Sequence, residues 1–143
     1  MQLKRIIFIH TAAIILLVPQ TIYSGDEPPL PWEITADRIT HQQQPKKILA
    51  EGNVFLKQYK DNIPSGLSIQ ADKILYDLNE NQINGSGNLR LFEKNNEVRA
   101  AKARINLVDQ VGFFEDASIF WRQNNLYVSA DRIEKTDETT YHI

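Results

Sequence analysis

The 143-residue chain contains no cysteine. Disulfides, thiolate catalysis and cysteine-ligated metals are therefore excluded, and core packing with backbone pairing must hold the fold unaided. Histidine is almost as scarce. Of the three, His10 sits in an N-terminal apolar run, His41 in a Gln-rich turn and His142 next to the last residue. None has a second ligand at metal-binding spacing, so neither a metal nor a cofactor is expected. Positive charge is not in excess either, with 16 Lys and Arg against 18 Asp and Glu. Nucleic acid is an unexpected partner for such a chain, because affinity for it comes largely from basic groups that neutralise phosphates.

Long apolar runs are missing except at the start. There Lys4 and Arg5 precede an apolar stretch from Ile6 to Val18, which Pro19 ends, and Ile22-Tyr23-Ser24 offers a small residue for cleavage. Spanning a bilayer takes about 20 apolar residues, and this run is shorter. The order of charge, apolar core and small residue predicts a signal peptide over 1–24 and an exported domain over 25–143. No cysteine follows the run, which excludes a lipid-modified N-terminus. Loss of Lys4 and Arg5 leaves 14 basic against 18 acidic side chains, a net charge of −4.

What is present is a repeat. Ile34-Thr35-Ala36-Asp37-Arg38-Ile39 recurs as Ile69-Gln70-Ala71-Asp72-Lys73-Ile74 and as Val128-Ser129-Ala130-Asp131-Arg132-Ile133, with a weaker copy at Ala101-Lys102-Ala103-Arg104-Ile105. A second element reads Ala50-Glu51-Gly52-Asn53-Val54-Phe55-Leu56 and Gly85-Ser86-Gly87-Asn88-Leu89-Arg90-Leu91, with a looser version from Phe114 to Trp121. A spacing of about 30 residues is typical of stacked units that cannot bury an apolar face alone.

Each half-unit alternates with the period of a strand. Ile48, Ala50, Gly52, Val54 and Leu56 share one parity, as do Ile83, Gly85, Gly87, Leu89 and Leu91, and Val111, Phe113, Ala117, Ile119 and Trp121. Successive strand side chains point to opposite faces, so each set is expected to line one face of a sheet. No apolar stripe at helical spacing follows the leader. Polar segments at Gln42-Gln43-Gln44-Pro45, Asn79-Glu80-Asn81, Lys94-Asn95-Asn96 and Gln123-Asn124-Asn125 separate the strands. The fold class is all-β, with seven or eight strands.

In each Ala-Asp-[Arg/Lys]-Ile element the last isoleucine has the opposite parity to the first. A bulge or kink is therefore expected at the Asp-Arg pair, bending the whole sheet. Ala50, Gly52, Gly85, Gly87 and Ala117 either leave room for a second sheet or a ligand, or relieve crowding at a corner. Asp37, Asp72 and Asp131 each adjoin a basic residue, and read better as bend-stabilising or solvated groups than as catalytic carboxylates, which need a converging pocket. Gly85-Ser86-Gly87 lacks the flanks of a phosphate loop or nucleophile elbow. No catalytic residues are expected.

These alternating elements resemble the OstA-like domain shared by the lipopolysaccharide transport proteins LptA and LptC and by the N-terminal region of LptD. The resemblance runs from Trp32 to Ile143. The closing stretch, Ile133-Glu134-Lys135 through Thr140-Tyr141-His142-Ile143, is similar to the part of LptD that precedes its barrel, which favours LptD's periplasmic domain over LptA. LptC, which keeps an N-terminal membrane helix, is the less similar. The resemblance implies an open, twisted β-jelly-roll folded like a taco, located in the periplasm and outer-membrane associated if a barrel follows. It also implies an inner face that takes the acyl chains of lipid A, and edge strands that pair with other Lpt jelly-rolls.

On the inward parity, the groove candidates are Val54, Leu56, Leu89, Leu91, Ile119 and Trp121, joined by Ile39, Ile74 and Ile133 from the kinked strands. Buried aliphatics and aromatics are also the ordinary content of a core. The candidate partner edges are Trp32 and Ile34 near the start, and Tyr127 and Val128 near the end, since an exposed edge strand is a template for β-augmentation. The rival reading is a non-lipid structural spacer or adhesion module with a filled interior.

Overall fold

The computed structural model describes residues 32–60, 63–137 and 139–143, so the leader expected at 1–24 lies outside the described residues. Nine strands form one antiparallel sheet: β1 (Trp32–Thr35), β2 (Arg38–Gln43), β3 (Lys46–Lys60), β4 (Ile63–Asp77), β5 (Gln82–Glu93), β6 (Asn96–Asn106), β7 (Gly112–Trp121), β8 (Leu126–Lys135) and β9 (Tyr141–His142). They follow chain order from β3 to β9, while β1 and β2 both pair with β3 and are two halves of one interrupted strand. His41 therefore lies within β2, opposite Ile48, and not in a turn. Among the described residues no helix is long and apolar enough to cross a membrane.

The long strands all turn a corner along one line. Between Glu51 and Val54, β3 sets Gly52 and Asn53 against the single residue Asp72 of β4. Likewise β5 places one extra residue at Gly87-Asn88 against both β4 and β6. These are β-bulges, which bend a strand and raise its twist. Both bulge residues are left-handed in each case, with φ of 77° and 47° at Gly52 and Asn53 and 75° and 46° at Gly87 and Asn88. The aspartates of the other motif hold the corner. The Asn53 side-chain amide donates to Asp37 Oδ2 at 2.9 Å, and that of Asn88 to Asp72 Oδ2 at 2.9 Å. The backbone N–H of Asp37 adds a bond to the Gly52 carbonyl at 2.9 Å. A Cβ at Gly52 or Gly87 would collide with the Asp37 or Asp72 carboxylate, so the glycines serve the corner and leave no space for a ligand. The phase change expected at the Asp-Arg pair is real, but the inserted residue belongs to the facing Gly-Asn strand.

This geometry explains the burial pattern. A strand that crosses the line without an extra residue changes phase: β4 buries Leu67, Ile69 and Ala71, then Ile74 and Tyr76, and β6 buries Val98 and Ala100, then Ala103 and Ile105. The bulged strands β3 and β5 keep their phase, from Ile48 and Ala50 to Val54 and Leu56 and from Ile83 to Leu89 and Leu91. β7 takes no extra residue and flips, so Phe114 is the core aromatic. Phe113, expected inside, turns outward and lies under the Arg132 guanidinium at 4.0 Å. The folded halves of the sheet face one another and share one apolar cluster. Aligned sheets pack in this way with interdigitating side chains.

If the corner depends on this clamp, Asp72→Ala should lower stability by about 1–2 kcal/mol, the worth of a charge-assisted bond near the surface. Gly87→Val should cost more, about 2–4 kcal/mol, by adding left-handed strain to the collision. Urea unfolding measures both. A Gly87→Val midpoint equal to that of the unsubstituted chain would show the corner to be independent of that conformation.

Candidate functional site: a closed interior and its latch

The space between the two halves is where a ligand would lie. Val54, Leu56, Ile74, Leu89, Leu91, Ile119 and Ile133 all face it and are buried together. Trp121 is half-buried at the mouth. Ile39, by contrast, is 37% exposed and outside the core cluster; β2 lies at the margin of the sheet, with no strand beyond it among the described residues. One interior void, bounded by Trp32, Leu67, Ile69, Leu91, Ile105 and Leu107 with Asn106, Gln110 and Lys135 at its rim, measures about 10 Å³. That is about the space of one water molecule.

The mouth, opposite the corner, is fastened by polar groups. Lys135 Nζ donates to Glu93 Oε1 at 3.3 Å and to the Asp137 carbonyl at 2.8 Å. Tyr141 donates its hydroxyl to Glu93 Oε2 at 2.9 Å, stacks edge-on to Trp121 at 6.2 Å, and lies 5.2 Å from the Lys135 ammonium. The ion pair is nearly dry, with side-chain exposures of 2% for Lys135 and 11% for Glu93. Glu93 ends β5 in one half, while Lys135 ends β8 in the other, so the pair spans the mouth. Burial, reinforced by the Glu93 charge and hydrogen bond, pushes the Tyr141 hydroxyl far above its ordinary pKa and keeps it a donor. A second cross-link joins Gln110 to Gln58 at 3.4 Å.

The latch is built from a tight turn. Asp137 accepts bonds from the backbone N–H groups of Thr139 and Thr140 at 2.8 and 2.9 Å, which returns the chain so that β9 pairs with Glu134 and Lys135. Sequence reasoning missed Glu93, Lys135 and Tyr141. Glu93 and Lys135 sit on core parity at strand ends, and charged residues there look like ordinary turn flanks.

The edges lie apart from this site. On its outer side β8 is covered only at Glu134 and Lys135, leaving Leu126 to Ile133 without a ladder partner among the described residues. Tyr127 is 63% exposed and Leu126 48%, while Val128 is half-buried. At the other margin Trp32 and Ile34 are half-buried against the core. No group of three or more His, Cys, Asp or Glu among the described residues could hold a metal ion.

The described residues form an antiparallel β-jelly-roll whose two halves are fastened at the mouth by a polar latch. The chain belongs to the LptC-related lipopolysaccharide-assembly family, whose model matches residues 13–112, and it is a non-enzymatic component. Among solved structures it is similar to LptH, described as the LptA-homologous periplasmic component of the lipopolysaccharide transport device of Pseudomonas aeruginosa. The TM-score is 0.66 at 10% identity, over 78% of this chain and 80% of that one. No curated protein sequence matches.

Two outcomes test the latch. Lys135→Ala strands a buried carboxylate and should cost about 3–5 kcal/mol, whereas Lys135 and Glu93 replaced together by apolar residues should cost far less. Equal losses in denaturant melts would contradict a desolvated pair. The turn bonds, led by that from Thr139, hold the Asp137 carboxyl below its ordinary value of 3.8. A depressed folded pKa gives stability that is present above the unfolded value and lost as the pH falls through the folded one. The near-UV signal of Trp121 and Tyr141 should therefore loosen in acid below about pH 4, and that acid transition should vanish in Asp137→Asn.

Proposed function

We propose that this chain carries lipopolysaccharide across the periplasm, taking lipid A acyl chains between the two halves of its jelly-roll and joining like domains through its edge strands. The observation that supports this reading is a mainly apolar interior shared by the two halves and fastened across its mouth by the Glu93–Lys135 ion pair and Tyr141. Losing the latch costs at most about 3–5 kcal/mol. Each buried methylene returns roughly 0.8 kcal/mol, so about four to six methylenes offset it. Entry then amounts to exchanging side-chain contacts for acyl contacts. The expected leader at 1–24 delivers the mature domain to the periplasm, with outer-membrane association if a barrel follows.

A photocrosslinking residue at Trp121, at the mouth, should capture lipopolysaccharide, while one at outward-facing Arg90 should not. Saturable acyl-chain binding should be abolished by Leu91→Asp in a chain that still folds by circular dichroism. Absence of any adduct and of saturable binding would leave the spacer reading, which the filled interior favours. The family match is LptC-related, the member the sequence reading ranks as less similar, and its residues 13–112 do not reach the stretch from Ile133 to Ile143. On the similarity of that stretch, the periplasmic domain of LptD is preferred to a stand-alone LptA-like protein. A long strand-patterned continuation of the reading frame supports the former, and a stop codon the latter.

A further inference from the structure

One row of cross-strand partners crosses the outer face of the sheet from β2 to β8, next to the corner. Arg38 faces Glu51, Glu51 faces Lys73, and Lys73 faces Ser86. Ser86 in turn faces Lys102, Lys102 faces Glu115, and Glu115 faces Arg132. Charge alternates along this row except at its middle, where the neutral Ser86 stands between two lysines. Opposite charges directly across a ladder stabilise a sheet, and like charges oppose it. Glu51 meets the need on its side, lying 3.9 Å from both Arg38 and Lys73. Lys102 is exposed and among the described residues has no hydrogen bond or ion pair.

A third cation joins the two lysines. Arg104 lies two residues beyond Lys102 on the same face, opposite Asn84, and donates from Nη2 to the Gln82 side-chain oxygen at 3.3 Å. A guanidinium carries five N–H donors, so one such bond does not exhaust it. Lys73, Lys102 and Arg104 border, with Asn84, Ser86 and Phe113, an open depression of about 390 Å³. Glu115 is the one carboxylate on its margin, and it has Arg132 directly opposite as well as Lys102. Three cations, a hydroxyl and an amide therefore gather against a single acid. The depression is on the far side of the sheet from the slot, since Gly85 and Ala103, which adjoin Ser86 and Lys102, are buried in the interior.

We infer that this outer face binds a phosphomonoester of a sugar-sized alcohol, with the phosphate held between Lys73 and Lys102 at Ser86 and within reach of Arg104. The phosphate supplies the negative charge at which the alternation breaks. It brings nearly two charges at neutral pH and three acceptor oxygens, one for each cation, where a carboxylate brings one charge and two oxygens. The volume is in the range of small-ligand sites, and Phe113 and Leu75 give the carbons of a sugar an apolar wall. A flat anionic bilayer is the poorer match. Its attraction grows with the number of basic groups, and here Arg38 and Arg132 are offset by Glu51 and Glu115. The site is independent of acyl carriage, because the backbone layer separates it from the slot.

Glucose 6-phosphate titrated into the purified chain and followed by amide NMR tests this. Saturable shifts are expected at Asn84, Ser86 and Lys102. Lys73→Gln and Lys102→Gln should each weaken binding about tenfold, the worth of a charge-assisted bond, while Arg90→Gln on the outer face of the other half should not. Binding should also weaken as the phosphate takes up a proton below about pH 6. Ser86→Glu supplies the carboxylate from the chain itself, so it should abolish binding and raise the urea midpoint, and Ser86→Lys should lower that midpoint. Vesicles carrying phosphatidic acid, a phosphomonoester lipid, separate the two sources. Their capture, blocked by Lys102→Gln, assigns the site to a lipid headgroup, and a response to glucose 6-phosphate alone assigns it to a soluble ester. Inorganic phosphate binding as tightly as glucose 6-phosphate would overturn the sugar-sized ligand. Equal capture of phosphatidylglycerol vesicles would show a general anionic attraction and reject the inference. So would shifts indifferent to Lys102→Gln, or a Ser86→Glu midpoint that falls.

Discussion

The long strands turn the same corner, and across β1 to β5 that corner is held by charged hydrogen bonds between an aspartate of one strand and an asparagine of the next long strand, Asp37 with Asn53 and Asp72 with Asn88. The left-handed bulge is unfavourable for an ordinary residue. It persists because Gly52 and Gly87 carry no Cβ to collide with the aspartates and because the bonds at 2.9 Å hold the bulged backbone in place. Once two strands bend together, their neighbours must follow to keep the ladder. The flat meander becomes two facing layers, and a chain without a single cysteine acquires an interior.

That interior sets the terms for function. An apolar face folded onto itself buries its side chains against one another without a ligand, as the shared cluster of the two halves shows. Any guest must therefore replace core contacts in kind. Acyl chains can, since they offer the same methylene surface as Leu and Ile. A polar or rigid guest cannot. Under the proposed function, selection by such a slot would follow chemistry more than shape.

Much of the architecture was legible in the residues. Period-two alternation and the recurring motifs marked the strands, and the parity switch in Ile69, Ala71 and Ile74 marked the corner. What parity alone could not assign was which strand held the extra residue, because a bulge changes the count of a pair and the sequence displays one strand at a time. The same limit misplaced Phe113: β7 bends without an insertion, so its phase flips between Phe114 and Ala117. Ile39 differs from the other groove candidates in being exposed, because it lies on a marginal strand. The latch was invisible for another reason. Glu93 and Lys135 stand 42 residues apart and meet only after the sheet has folded.

The position of that ion pair is informative about its purpose. Buried ion pairs rarely exceed in stability the apolar residues that could replace them. If stability alone were at stake, the mouth would be better closed by the aliphatics that fill the rest of the slot. Glu93, Lys135 and Tyr141 instead close it with bonds that water can replace when the halves part, so the opened mouth is hydrated and not sticky. An apolar seal opened in water would expose surface prone to aggregation. In the proposed carrier, a polar seal over an oily slot separates two tasks: the interior stays mainly apolar for acyl chains, and the rim opens without adhering to its neighbours.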